Sequence, residues 1–274
     1  MQDPASRLRV ALVKISGVLP LRCGVRLGYP FELAIQSLRP LCDEVVVLVD
    51  PESNDGTLER VVKLCPDVLV PSRWDLHNHD GMSDEIARQT ALGIEACAGD
   101  WVLSLQADEV LHEREAEQTR RDVEWAEREG ISALKMVRWY FFGSLERYRS
   151  NWTVPLPRLV RRGAWRPDPC SGAMYFVPIG EQRAADTAGA IYHYSRIGDP
   201  LAIAKRVRNL DTFYHPPERI AGEAELAPYT FELRKLDTYV RGHAAEPDAD
   251  AELLPFPRER HPAAALAHFG GTTP

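Results

Sequence analysis

Short continuous apolar runs alternate with segments of helical periodicity through the first 105 residues. Runs of this kind are typical of strands that a parallel sheet buries on both faces. The predicted strands are residues 8–15, 44–50, 67–70 and 101–105. The predicted helices between them are residues 31–38, 54–63 and 83–97. This alternation predicts a doubly wound α/β sheet.

The pattern changes beyond residue 111. Residues 112–129 are heavily charged, with acids early and arginines late, which favours a surface helix aligned with its own dipole. Further strands are predicted at 131–142, 154–161 and 190–194, and further helices at 201–214 and 229–240. From Ala244 onward, proline, alanine and acidic residues dominate, which predicts a loosely ordered tail.

Composition narrows the class of protein. The 274 residues carry a net charge of −7, which argues against a protein that binds the backbone of a nucleic acid. The five cysteines form no CxxC pair and indicate reduced thiols. The N-terminus lacks the apolar core of a signal peptide, and no apolar run approaches 18 residues. We therefore expect a cytoplasmic protein without a transmembrane segment.

Polar side chains follow several of the predicted strands. Asp108 and Glu109 come directly after strand 101–105, where two adjacent carboxylates need a partner such as a divalent cation. The alternative is a solvated strand end whose acids begin the next helix. Asp50 ends a buried strand and suits either a nucleobase and ribose contact or an ordinary turn. His193 also ends a predicted strand. Its position suits either a third metal ligand or a structural histidine.

Two further clusters of residues, and the absence of several sequence motifs, bear on the possible chemistry. His77 and His79 lie two apart in a loop, without the helical spacing of zinc hydrolases. Arg158, Arg161 and Arg162 suit either phosphate or a solvent-facing strand edge. The chain has no GxxxxGK[ST], no GxGxxG after the first strand, no GxSxG and no HExxH. These absences argue against ATPases, dehydrogenases, α/β-hydrolases and zincins.

Several motifs together resemble a known family. The sequence DPESNDGT at 50–57 resembles the acid-rich nucleotide-binding turn of family 2 glycosyltransferases. AGDW at 98–101, followed by QADE at 106–109, is similar to that family's strand and metal motif. With the later RLVRRG and IYHY, the chain more closely resembles a bacterial subgroup of glycosyltransferase-like proteins that carry QADE in place of the usual motif. The resemblance covers roughly residues 8–215.

The resemblance implies a GT-A (Rossmann-like) fold, a mixed sheet flanked by helices with a C-terminal helical extension. It places the glycosyltransferase-like domain at 1–215, with a nucleotide-binding half at about 8–111 and an acceptor half at about 131–195. Residues 216–274 would form the C-terminal helix and tail. The donor would be a UDP- or GDP-linked sugar, and the cofactor Mn²⁺ or Mg²⁺. The resemblance does not identify the acceptor or the oligomeric state.

The resemblance also suggests roles for particular residues. The expected donor-binding residues are Ser16, Asp50, Glu52, Asp55, Trp74, Gln89, Gln106 and Ala107. The expected metal ligands are Asp108, His193 and Glu109. Gln106 departs from the family, which usually has an aspartate there, and Ala91 stands where many relatives have asparagine. No acidic dipeptide marks a catalytic base, so Asp168, Glu181 and Asp186 all remain candidates.

The leading hypothesis is a metal-assisted glycosyltransferase that uses a nucleotide sugar. A catalytically silent nucleotide- or sugar-binding protein of the same fold is the first alternative, since the metal motif is altered. A nucleotidyltransferase is the second alternative. It would need a Gly/Arg-rich phosphate loop after the first strand, and residues 16–22 match that pattern poorly.

Overall fold

The computed structural model describes residues 13–75, 84–171, 174–212, 220–229 and 252–270. The helices are α1 (Phe31–Leu38), α2 (Thr57–Lys63), α3 (Asp84–Glu95), α4 (Ala116–Arg128), α5 (Pro200–Asp211), α6 (Glu223–Leu226) and α7 (Ala263–Phe269). The first strands are β1 (Ile15–Leu21), β2 (Glu44–Val49), β3 (Val68–Pro71), β4 (Trp101–Ser104), β5 (Glu109–Leu111) and β6 (Ala133–Phe142). The later strands are β7 (Ser144–Arg149), β8 (Pro155–Arg161), β9 (Trp165–Pro167), β10 (Phe176–Pro178), β11 (Ala184–Arg196) and β12 (Leu253–Pro255).

Ten of these strands form one mixed sheet. Its main path runs β12-β7-β6-β8-β4-β1-β2-β3, and β11 joins it by pairing with β6 and β5. β3, β2, β1 and β4 are mutually parallel, whereas β8 is antiparallel to both β4 and β6. The predicted α/β fold class, a mixed sheet flanked by helices, is confirmed.

Helices cover both faces of the parallel half. On one face, Leu19 and Val47 pack in the same cluster as α1 and α4. On the other face, Val18, Val46 and Val102 pack against α3. Alternate residues of each strand therefore enter different cores, as the period of two in a strand requires.

The first strand differs from its predicted position. β1 spans Ile15–Leu21, so the expected loop residues Ser16 and Gly17 lie inside the strand, and residues 8–12 lie outside the described residues. Ser16 can be buried because its hydroxyl donates to Glu44. A Cβ on Gly17 would lie 3.0 Å from two Leu38 methyl carbons, so glycine permits the close approach of α1.

The C-terminal segment also differs from the expectation. The prediction of a loosely ordered tail is wrong for residues 252–270, because β12 pairs antiparallel with β7 and α7 buries Ala265 and Phe269. Phe256 and Phe269 belong to the same apolar cluster as Tyr194 of β11. The predicted helix at 229–240 lies outside the described residues. No helix in the described ranges is long and apolar enough to cross a membrane.

Candidate active site

A cavity of about 270 Å³ opens at the carboxyl edge of the parallel strands. In an open α/β sheet, this edge is where ligands bind. Part of the lining comes from segments that directly follow a strand: Arg22, Trp74, Gln106, Ala107 and Asp108. The rest comes mainly from β6, β11, α5 and nearby loops and includes Tyr29, Arg138, Tyr140, Trp152, Ser171, Met174, His193, Ser195, Arg196, Arg206 and Asn209.

Asp108 and His193 form the polar centre of this cavity. His193 Nε2 lies 3.5 Å from Asp108 Oδ1, and both side chains are at least 90% buried. Burial raises the pKa of Asp108 to about 6, and the charge of Glu109 adds to that rise. Burial also lowers the pKa of His193 well below its usual value, with positive charge on Arg138 and Arg196 acting in the same direction. At neutral pH the pair is therefore a carboxylate beside a neutral imidazole.

This pair has the chemistry of a partial metal site. A carboxylate oxygen is a ligand for both Mn²⁺ and Mg²⁺, whereas a neutral imidazole nitrogen suits Mn²⁺ better than the harder Mg²⁺, and both ions often take their remaining ligands from substrate phosphates. In the described ranges no group of three or more His, Cys, Asp or Glu side chains converges on one point. A cation here would thus have Asp108 and His193 as its side-chain ligands and would need further oxygens from a bound substrate.

Two arginines face the cavity without a carboxylate ion-pair partner among the described residues. Arg206 is 4% exposed, donates to the carbonyls of Gly28 and Ile197, and leaves its buried Nε without a partner. Burial lowers the pKa of Arg206, and the nearby charge of Arg196 lowers it further. In the described part of the chain, no protein group makes a hydrogen bond or ion pair with the Arg196 guanidinium. Two buried like charges with unused donors are a suitable place for an oxyanion.

Arg22 separates Asp50 from the cavity. Its Nε lies 3.3 Å from Asp50 Oδ2, and its Nη1 donates to Asn209 of α5 at 3.2 Å. The other oxygen of Asp50 accepts a hydrogen bond from the amide of Glu52 at 3.0 Å. Arg22 lines the cavity and Asp50 does not. In this structure Asp50 thus contacts and orients the Arg22 guanidinium and does not itself face the cavity.

Glu109 points away from Asp108 into the sheet. It is fully buried, and its Oε1 accepts from Arg138 Nε at 2.8 Å. Its Oε2 accepts from Arg158 Nη2 at 2.6 Å. Burial alone would raise the pKa of Glu109, but the two guanidinium groups outweigh it and hold that pKa low. This geometry does not support the expectation that Glu109 is a metal ligand, because arginines engage both of its carboxylate oxygens.

The comparisons with known proteins show similarity of fold only. No protein-family model and no curated protein sequence matches the chain. The chain is similar to S. aureus TarS 1–349 in complex with UDP, with 18% identity and a TM-score of 0.43 over 84% of this chain and 72% of that one. For the same protein in complex with UDP-GlcNAc, identity is 16% and the TM-score 0.38, over 82% and 72% of the two chains.

A second protein gives a partial match. Glucosyl-3-phosphoglycerate synthase from Mycobacterium tuberculosis, in complex with Mn²⁺, UDP and phosphoglyceric acid, is 22% identical, with a TM-score of 0.30 over 49% of this chain and 45% of that one. The chain thus spans less than half of that synthase. At these identities and TM-scores, the likenesses carry nothing about the activity of this chain.

The cavity contains some of the residues expected from the sequence. Trp74, Gln106, Ala107, Asp108 and His193 all line it. The loop of His77 and His79 lies outside the described residues.

Other expected donor-binding residues lie elsewhere. Ser16 is at the amino end of β1 and accepts from the Gly99 amide at 2.9 Å, so it lies at the opposite edge of the sheet. Glu52 is exposed and pairs with Arg73. Asp55 accepts from the Arg26 amide at 2.7 Å and so fixes the loop after β1. Gln89 is buried and donates to the Arg73 carbonyl at 2.9 Å, which supports the chain just before Trp74. None of these four lines the cavity.

The three candidate bases do not line the cavity either. Asp186 lies near the amino end of β11, seven residues from His193, and pairs with Lys135 at 2.8 Å. Seven residues of strand span about 23 Å, so Asp186 is too distant to act as the base. Glu181 is exposed on the loop before β11. Asp168 is buried after β9, with its Oδ2 unpartnered, three residues from Ser171 of the cavity wall. It is the only one of the three near the cavity.

Proposed function

We propose that this protein is a glycosyltransferase that transfers a sugar from a nucleotide-sugar donor to an acceptor hydroxyl. The supporting observation is that Asp108, His193, Arg196 and Arg206 line one cavity. The carboxylate–imidazole pair suits a divalent cation, and the two arginines suit phosphate oxygens. A nucleoside diphosphate that binds together with its cation needs both a cation site and donors to its phosphate oxygens.

The donor nucleoside would occupy the part of the cavity near β1 and β3. The apolar and aromatic surface there comes from Pro20, Leu21, Trp74 and Ile86. A flat base can pack against an aromatic side chain, and Arg22 offers hydrogen-bond donors beside it. UDP and GDP are the nucleotides we propose for the donor.

The diphosphate would lie between Asp108 and α5. Mn²⁺ or Mg²⁺ bound by Asp108 Oδ1 and His193 Nε2 would neutralise charge on the departing diphosphate. Arg196 and Arg206 would donate to its oxygens from buried positions, where charge-assisted hydrogen bonds are strong. Tyr29 lies beside Arg206, with its ring centroid 5.8 Å from the guanidinium carbon, and lines the same wall.

The transfer forms one bond and breaks one. The acceptor oxygen bonds to the anomeric carbon, and the bond from that carbon to the diphosphate oxygen breaks. The nucleoside diphosphate leaves with the electron pair, and the proton of the acceptor hydroxyl passes to water. The acceptor would enter along Trp152, Ser171 and Met174, which line the cavity.

Calorimetric titration with UDP, GDP, CDP and dTDP, with and without Mn²⁺, tests the proposal. We expect one of these nucleotides to bind, and to bind at least tenfold more tightly with Mn²⁺. Failure of all four to bind in either condition would exclude the proposed donor class.

A second candidate is a nucleotide-sugar-binding protein without transferase activity. Asp108 is the only carboxylate residue lining the cavity within the described ranges, so no separate base faces an acceptor there. Turnover assays with a panel of sugar donors and acceptors distinguish the two. Donor binding without hydrolysis or transfer under any condition would favour the binding protein.

A further inference from the structure

The Glu109 carboxylate is bound on both oxygens by two buried arginines. Arg138 Nε and Arg158 Nη1 donate to Oε1 at 2.8 and 3.0 Å. Arg158 Nη2 donates to Oε2 at 2.6 Å, so Arg158 forms a two-pronged pair. Buried ion pairs contribute little net stability, because desolvation offsets their attraction. A contribution to stability therefore does not explain why the charges of Glu109, Arg138 and Arg158 are buried directly beside the cavity.

Glu109 also holds the turn that carries the polar centre. Its Oε2 accepts a hydrogen bond from the Gln106 amide at 2.8 Å. The Glu109 amide donates to the Gln106 carbonyl at 3.1 Å, which closes the turn. Asp108 lies inside this turn, and its carbonyl accepts from the Tyr194 amide at 2.8 Å. The backbone on both sides of Asp108 is thereby fixed.

Arg158 extends this connection to another part of the cavity wall. It donates to the carbonyl of Ser104, the last residue of β4. It also donates to the Met174 carbonyl at 3.1 Å. Met174 also lines the cavity. One guanidinium therefore ties the strand before Asp108 to the acceptor wall.

Arg138 connects the same carboxylate with His193. Its guanidinium carbon lies 5.2 Å from the centroid of the Tyr140 ring. Tyr140 stacks on His193, with centroids 4.5 Å apart and an interplanar angle of 27°. His193 is also the direct cross-strand neighbour of Glu109 in the β5–β11 pair.

We propose that Glu109 and Arg158 are positioning residues, which set the distance between Asp108, His193 and the Met174 wall. This inference rests on the proposed function, since it assigns these residues to the geometry of donor and cation binding. Neither residue touches the donor. Both act through the backbone and side chains that do.

Single substitutions here leave buried charge uncompensated and can prevent folding. The informative variant is therefore the double substitution Glu109→Gln and Arg158→Met. It keeps the net charge of the Glu109, Arg138 and Arg158 cluster at one positive charge while removing the two-pronged pair. The control is Val123→Ala, a fully buried substitution in α4, which destabilises the chain without touching the turn.

The experiment measures Mn²⁺-dependent binding of the nucleotide that the wild type binds, together with the urea midpoint of each variant. We expect the double variant to lose tenfold to hundredfold in nucleotide affinity with Mn²⁺, the range typical of residues that orient metal ligands. We expect the control to keep wild-type affinity despite its lower midpoint. Wild-type affinity in a folded double variant would overturn the inference and leave the proposed function standing.

Arg158→Lys covers the case in which the double variant fails to fold. It keeps the charge and removes the planar fork, which lysine cannot reproduce. We expect at least a tenfold loss of the same affinity, and an unchanged affinity would overturn the inference. If the wild type binds none of the nucleotides, the proposed function fails first.

Discussion

Asp108 and His193 come from elements 85 residues apart, yet their side chains meet, with Oδ1 of one 3.5 Å from Nε2 of the other. Asp108 lies in the turn between β4 and β5, and His193 lies in β11, which pairs antiparallel with β5. The contact thus depends on a sheet that joins both halves of the chain. Burial, together with positive charge on the surrounding arginines, lowers the pKa of His193, so the imidazole is neutral and able to bind a cation.

Arg196→Met should weaken nucleoside diphosphate binding by tenfold to hundredfold. A hydrogen bond from a charged donor contributes about 1.5–3 kcal/mol, and Arg196 has no other hydrogen-bond or ion-pair partner among the described residues. Calorimetry measures the affinity, with Arg128→Met on the exposed end of α4 as the control. Equal affinities for Arg196→Met and the wild type would remove Arg196 from the site.

The contribution of His261 to stability should decrease as pH falls from 7 to 5. Burial lowers the pKa of His261 to about 4, against 6.5 for an exposed histidine. The neutral ring bonds to the Tyr194 hydroxyl at 2.9 Å and to the Leu145 carbonyl at 2.7 Å. Between these two pKa values, the unfolded chain binds a proton that the folded chain does not. Lowering the pH from 7 to 5 therefore reduces the contribution of His261 to the free energy of unfolding by about 2 kcal/mol.

Urea denaturation at pH 7 and at pH 5 checks this expectation. His261→Gln should flatten the pH dependence, whereas His268→Gln on α7 should leave it unchanged. The same slope in His261→Gln and in the wild type would contradict the assignment.

Phe269→Ala should destabilise the whole domain by about 3–5 kcal/mol. Phe269 is 5% exposed and stacks on Tyr194 with a centroid distance of 4.9 Å. Urea denaturation measures the loss, and Val62→Ala, which alters a half-exposed side chain of α2, serves as the control. A loss below 1 kcal/mol would mean that the C-terminal segment does not contribute to the core.

The sequence predicted those site residues that directly follow a parallel strand. Trp74, Gln106 and Asp108 stand after β3 and β4, and polar or aromatic residues at that edge are visible in the hydrophobic pattern. The position of β1 was harder to predict, since residues 8–15 form an equally apolar run. Ser16 and Gly17 are acceptable in the strand only because of Glu44 and Leu38, which are distant in sequence.

The arginines of the cavity were not predicted. Arg138 and Arg196 come from β6 and β11, whose pairing joins residues more than 50 positions apart. Nothing in a strand's own periodicity distinguishes an arginine that faces a cavity from one that faces solvent. Glu109 shows the same limit, since its adjacency to Asp108 suggested a shared cation. Alternation along β5 instead sends its side chain toward Arg158.

Mn²⁺ binding in the presence of the cognate nucleoside diphosphate, followed by electron paramagnetic resonance, tests the central claim most directly. We expect Asp108→Ala to abolish nucleotide-dependent Mn²⁺ binding, because it removes the only carboxylate ligand in the described part of the cavity. Gln106→Ala should weaken binding less, because an amide oxygen carries no charge. Unchanged Mn²⁺ and nucleotide affinity in Asp108→Ala would contradict the account.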